Sequence, residues 1–130
     1  MLRELRVLSD HRGKLGVVQG CADIPFTISR IFYIFDCPES ESRGFHAHRV
    51  TDQFLIAVSG SCRLVLDDGL ARKEFELNEN TYGVYQKALI WGEMDQFSED
   101  CVLLVLASHP YDESDYIRDY GEFLECSIEK

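Results

Sequence analysis

The chain has no apolar run near the roughly 18 residues that a membrane-crossing helix needs. Its first residues, Met1-Leu2-Arg3-Glu4-Leu5-Arg6, lack the apolar centre of a signal peptide. Basic side chains are scarce: 13 Lys and Arg stand against 23 Asp and Glu, a net charge of -10. Affinity for a phosphate backbone comes mainly from clustered Lys and Arg, so this balance argues against a nucleic-acid partner. The five cysteines, Cys21, Cys37, Cys62, Cys101 and Cys126, are odd in number and never form a Cys-x-x-Cys pair. That excludes a disulfide framework and a zinc knuckle, and leaves reduced small hydrophobes. These absences together predict a cytoplasmic protein with no membrane partner. Linkers, internal repeats and low-complexity blocks are missing as well. The 130 residues are therefore read as a single domain, 1–130, long enough to bury a core without disulfides or a structural metal.

What the chain does contain is a succession of short β-type segments separated by turn residues. Residues 28–35 are rich in β-branched and aromatic side chains, with Ile28, Arg30, Phe32 and Ile34 on one face. Residues 54–59 are apolar on both faces, as in the interior of a packed sheet, and 61–66 follow across Gly60. Asp67-Asp68-Gly69 is a hairpin signal leading into 72–77, where Lys73, Phe75 and Leu77 alternate with Arg72, Glu74 and Glu76. Residues 82–85 and 88–91 read as two brief strands, and 101–107 as a buried one. Only the tail has helical spacing: Tyr116, Ile117, Tyr120, Phe123 and Leu124 predict a helix within 115–126. Many strands without alternating helices predict an all-β, double-stranded jelly-roll barrel with a C-terminal helix.

The chemistry is concentrated in residues 43–60. On a strand, His46 and His48 project from one face, with Ala47 on the other. Such a pair is either a base couple or half of a metal site. The spacing Gly44, His46, His48, Gln53, Gly60 resembles the first motif of cupins, in which metal-binding members carry a glutamate at the place of Gln53 and a further histidine in a second motif. Here the carboxylate is replaced by an amide, and residues 83–97 contain no histidine; His11 and His109 are the only others. Two imidazoles and an amide hold a divalent metal weakly, so the motif points to a pocket without metal or other cofactor.

A narrower resemblance spans nearly the whole chain. It runs through Asp23-Ile24-Pro25-Phe26, Arg30-Ile31-Phe32-Tyr33-Ile34, Arg43-Gly44-Phe45-His46-Ala47-His48, Leu66-Asp67-Asp68-Gly69, Trp91 and 103–108 to Tyr111-Asp112-Glu113-Ser114-Asp115-Tyr116-Ile117-Arg118. In these segments the chain is similar to the WxcM-like sugar 3,4-ketoisomerases. The resemblance implies a metal-free, homodimeric enzyme of deoxysugar biosynthesis that moves the keto group of thymidine-diphosphate-linked 4-keto-6-deoxyglucose from C4 to C3. It also implies that His46 is the primary base and His48 a supporting group. Some family members carry a tyrosine, cast as the general acid, where this chain has Phe32.

The residues fit that chemistry on their own terms. A ketone moves to the neighbouring carbon by loss of a proton, passage through an enediol and return of a proton, and imidazole, with a pKa near about 6.5, suits that shuttle. The enediolate oxygen needs a donor or a positive charge, for which Arg30 is a candidate; Arg12 is another, and could equally bind the diphosphate. Gln53 is expected to orient an imidazole or contact substrate. Tyr85 and Trp91 are candidates for stacking on thymine or sugar, against a default of core packing. Two other classes remain: a non-catalytic cupin that binds nucleotide sugar, as Phe32 would suggest, and a metal-dependent cupin enzyme.

Overall fold

The computed structural model describes residues 1–128. Two five-stranded antiparallel sheets carry most of the chain. The first runs in the order β1 (Leu2–Glu4), β9 (Tyr82–Gln86), β6 (Gln53–Ser59), β11 (Val102–Ala107), β4 (Arg30–Phe35). The second runs β12 (Tyr116–Ile117), β5 (Arg43–His48), β10 (Trp91–Asp95), β7 (Cys62–Asp67), β8 (Arg72–Leu77). A separate hairpin joins β2 (Arg6–Asp10) to β3 (Gly13–Val17), and α1 (Tyr120–Ile128) closes the described chain. This is the expected all-β jelly-roll architecture with a C-terminal helix, although the sheets face one another as an open pair rather than closing into one barrel.

Side-chain alternation builds the core. Cys62, Leu64 and Leu66 of β7 and Phe75 and Leu77 of β8 meet Leu55 and Ala57 of β6 and Leu103 and Val105 of β11, all buried. Strand β6 is buried on both faces at its start, because its other side packs Phe54 and Ile56 against Ile24, Phe26 and Leu106. A third cluster lies under α1, where Ala47, Trp91, Ile117 and Phe123 are buried together. Ala47 therefore turns away from the histidines, as alternation requires, but into a core rather than towards solvent.

Three local expectations change. Residues 88–90 are a turn and the strand begins at Trp91, because the Ala88 amide donates to Asp52 (2.8 Å) and the Leu89 amide to the His48 carbonyl (2.7 Å), outside any ladder. The N-terminal strands β1 to β3 are absent from the sequence pattern; they are short, mostly exposed and mixed in polarity, so they carry little periodic signal. The tail helix starts at Tyr120, not near Asp115. Asp112 caps a short 3-10 turn over Glu113–Asp115, and Tyr116 and Ile117 then pair with His48 and Ala47 of β5. Ladder hydrogen bonds to β5 override the helical spacing, and they bring Tyr116 to the histidines.

Gly60 has a positive φ of 64°, and a Cβ there would lie 2.3 Å from Ser98 Oγ and 2.7 Å from the Cys101 amide. Ser98 Oγ already accepts from the Ser61 amide (2.8 Å), so it has little room to yield. Gly60→Ala is expected to cost about 1–3 kcal/mol, read as a lowered urea midpoint at unchanged slope.

Candidate active site

The site is built on a distortion of β5. Across the β5 and β10 pair, Gly92 faces His46 and Glu93 faces Gly44, so Phe45 is an extra residue, and both Gly44 (φ 89°) and Phe45 (φ 57°) have left-handed backbone. Such a bulge re-aims the side chains beside it. Gly44 is required there, since a Cβ would sit 2.8 Å from the Gly92 carbonyl oxygen. The strained Phe45 is the kind of backbone outlier that persists where a site needs it.

His48 is locked. Its Nδ1 lies 2.9 Å from Asp115 Oδ2 and its Nε2 3.3 Å from the Gln53 side-chain nitrogen, and the ring is 2 % exposed. An amide nitrogen only donates, so Nε2 accepts and the proton sits on Nδ1, donated to Asp115. Burial holds the imidazole below its ordinary pKa against the opposing pull of Asp115, while Arg30 and Arg118 push the same way as burial. Burial also pushes the Asp115 carboxyl up, but bonds from Thr51, the Val50 amide and His48 more than offset it and keep the group ionised.

His46 is different. Its ring meets His48 edge-on at 5.0 Å, and its Nδ1 is buried without a hydrogen-bond partner. Burial pushes its pKa down to about 4; Gly44 backbone opposes this, while His48 and Arg118 add to it. The imidazole is therefore neutral and uncommitted at neutral pH. Arg30 is uncommitted too: its buried Nε has no partner, its guanidinium lies over Phe32 (5.2 Å) and Tyr111 (5.6 Å), and no ion pair holds it among the described residues. Orphaned buried donors each cost about 1–3 kcal/mol, and they accumulate where a ligand completes them.

These groups share a cavity of about 670 Å³ whose lining includes Arg30, Phe32, His46, Gln53, Tyr116 and Arg118. That volume suits a small organic ligand. Tyr116 lies 5.0 Å from His46 and 4.4 Å from His48, with the Arg118 guanidinium 4.4 Å over its ring. Arg118 is tied to Glu113, whose carboxyl is held down to about 2 by Arg118 and by the Tyr111 hydroxyl.

Of the seven residues singled out by sequence, Arg30, His46, His48 and Gln53 come together. Arg12, Tyr85 and Trp91 lie elsewhere in the chain. Arg12 sits at the tip of the β2–β3 hairpin, paired with Asp10 at 2.7 Å. Tyr85 packs on Phe26 and donates to Asp52 (2.9 Å), and Trp91 donates to Glu93 (2.9 Å) while packing on Tyr120 and Phe123. Both aromatic rings serve cores outside the cavity. Conversely, Asp115, Tyr116 and Arg118 join the site from a segment whose apolar spacing predicts the start of a helix. The local signal is the Asp112-x-Ser114 cap, which starts a separate 3-10 turn over Glu113–Asp115 ahead of Tyr116.

A metal does not fit these donors. Both nitrogens of His48 are bound to protein groups, Gln53 offers its amide nitrogen, and no three His, Cys, Asp or Glu side chains converge among the described residues.

Comparison with known proteins assigns the chain and its fold to a lineage. The family model FdtA, WxcM-like, C-terminal, matches residues 1–127. The chain belongs to this WxcM-like family. It is 48% identical over 114 residues to the TDP-4-oxo-6-deoxy-alpha-D-glucose-3,4-oxoisomerase of Aneurinibacillus thermoaerophilus, covering 88% of this chain and 82% of that one. Among solved structures, a 3,4-ketoisomerase from Helicobacter canadensis matches with TM-score 0.94 at 41% identity, covering 98% and 96% of the two chains. A mutant of the 3,4-ketoisomerase QdtA from Thermoanaerobacterium thermosaccharolyticum, solved with TDP-4-keto-6-deoxyglucose, matches with TM-score 0.96 at 38% identity, covering 100% and 94%. These WxcM-like relatives are isomerases by name.

The buried, neutral His46 makes the stability of this WxcM-like chain depend on pH. Its folded pKa, about 4, is below the unfolded value near 6.5, so the unfolded chain binds more protons between them. Stability from this group is complete above about pH 6.5 and falls as the pH drops towards 4, by on the order of 3 kcal/mol when protonation is complete. Urea unfolding at pH 7 and pH 4 is expected to show His46→Asn losing less stability than wild type by roughly that amount.

Proposed function

We propose that this protein is a sugar 3,4-ketoisomerase that moves the keto group of thymidine-diphosphate-linked 4-keto-6-deoxyglucose from C4 to C3. The observation that carries the proposal is the pairing, in one cavity, of an uncommitted neutral imidazole, His46, with an uncommitted guanidinium, Arg30. The names of the relatives supply the substrate class.

In this reading His46 removes the proton at C3 and delivers it to C4. With its conjugate acid held near pKa 4, His46 is a weak base in the empty cavity. As the enediolate develops beside it, the new negative charge stabilises the imidazolium, so the base strengthens in step with the reaction. Arg30 supplies positive charge to the same oxyanion. His48, fixed between Asp115 and Gln53, holds the electrostatics and geometry around His46 as a supporting group. The apolar walls Phe32, Ile34, Leu55 and Val105 lower the local dielectric and accept the 6-deoxy methyl. Arg30, rather than the exposed Arg12, is the guanidinium assigned to the substrate, and a metal has no step.

We also assign a single catalytic domain and a homodimer. Ile31, Tyr33 and Phe35 of the edge strand β4 expose an apolar row on the outer face of the first sheet, and Leu8 and Leu15 of the hairpin are exposed too. Contiguous exposed apolar surface of this kind marks an interface, and a second copy of the chain is the occupant we assign. No described helix is long and apolar enough to cross a membrane. The five unpaired cysteines suit a reducing compartment, so the cytoplasm is the assigned location.

Incubation with the thymidine-diphosphate 4-keto sugar, followed by NMR, is expected to show the 3-keto product forming, and His46→Asn is expected to slow turnover at least about 100-fold. No turnover by wild type, with tight thymidine diphosphate binding retained, would instead support a non-catalytic binding protein. Light scattering is expected to give a mass near twice the chain's 14.9 kDa, reduced to the monomer by Ile31→Glu.

A further inference from the structure

The reaction moves two protons, and one base handles only one of them. C3 loses its hydrogen and C4 gains one, which His46 alone can perform. The oxygens must also exchange: O4 becomes a hydroxyl while the O3 hydroxyl becomes a carbonyl. Phe32 has no proton to give, so the group serving the oxygens must be another.

Most tyrosine hydroxyls are spoken for. Tyr82 donates to Asn78, Tyr85 to Asp52, Tyr111 to Glu113 and Tyr120 to Asp67. Tyr33 also reaches the cavity, but it is 60 % exposed and its ring pairs with Phe35 rather than with either histidine. Tyr116 alone both stands against His46 and His48 and has a hydroxyl with no hydrogen bond among the described residues. Its ring carries the Arg118 guanidinium at 4.4 Å, and Glu113 fixes that guanidinium through two bonds of 2.9 and 3.0 Å. That contact keeps a fixed positive charge against the ring. The β12 pairing with β5, Tyr116 opposite His48, fixes the ring to the same strand that carries the base.

We propose that Tyr116 is a catalytic residue, the proton shuttle between the two substrate oxygens. The proposal rests on the ketoisomerase reading. As His46 takes the C3 proton, the electrons of that bond form the C3–C4 double bond and the carbonyl electrons move to O4. Tyr116 donates its proton to O4 and becomes a phenolate under Arg118. The phenolate then takes the proton from the O3 hydroxyl, the O3 electrons form the C3 carbonyl, and C4 takes the proton carried by His46. Both enzyme groups end as they began, and no oxidant or reductant is needed.

Tyr116→Phe keeps the ring packing and removes only the hydroxyl. It is expected to bind thymidine diphosphate as wild type does by calorimetry, and to turn over the 4-keto sugar at least about 100-fold more slowly. Substitution by 3,5-difluorotyrosine, a more acidic phenol of nearly the same shape, is expected to move the alkaline limb of kcat to lower pH, which a purely structural role would not do. Turnover by Tyr116→Phe within threefold of wild type, or an alkaline limb unmoved by fluorination, overturns the proposal. An inactive wild type removes the ketoisomerase reading and the proposal with it, whereas an active wild type with an active Tyr116→Phe removes the proposal alone.

Discussion

The buried hydrogen bond between His48 Nδ1 and Asp115 is the constraint on which the rest of the site depends. It ties the strand that carries the histidines to the short turn that precedes β12. Asp115 also accepts from Thr51 and the Val50 amide, so one carboxylate closes the end of β5, the loop after it and the 3-10 turn together. A carboxylate this buried is tolerable only because every bond around it is made, and breaking such a pair strands a charge at a cost of about 3–5 kcal/mol. With Asp115 on one side and Gln53 on the other, His48 has no free nitrogen. The free base is left to His46.

The same burial that fixes His48 tunes His46. Desolvation keeps its imidazole neutral, and two guanidiniums, Arg30 and Arg118, enter the neighbourhood without being neutralised by it. Arg118 is already satisfied by Glu113, whereas Arg30 is stacked on aromatic rings with its Nε unpartnered. One cation therefore belongs to the protein and one waits for a ligand. That division suits a cavity built to stabilise a charge that appears only during reaction, since preorganised groups need not rearrange when it does.

The sequence carried the fold and half of the site. Strands β6, β7, β8 and β11 were legible because each is buried on at least one face and alternates or runs apolar accordingly. The histidine frame was legible because its spacing is local. What was not legible was set by long-range pairing. The segment around Tyr116 has the spacing of a helix, yet pairing with Ala47 and His48 of β5, far earlier in the chain, decides its conformation. The bulge at Phe45 was hidden for a related reason: Gly44 announces an unusual backbone, but only the facing Gly92 shows where the extra residue falls. Tyr85 and Trp91 are aromatic strand residues, and their strands turn them into the two outer cores.

Both imidazoles are neutral, and His48 is held with its proton on Nδ1, leaving His46 as the base. Nitrogen-15 NMR of the histidine rings tests this most directly, because protonated and bare ring nitrogens resonate far apart. At pH 7 His48 is expected to show a protonated Nδ1 and a bare Nε2, and His46 to stay neutral until the pH approaches about 4. An imidazolium at either position at pH 7, or a His48 protonated on Nε2, would contradict this assignment.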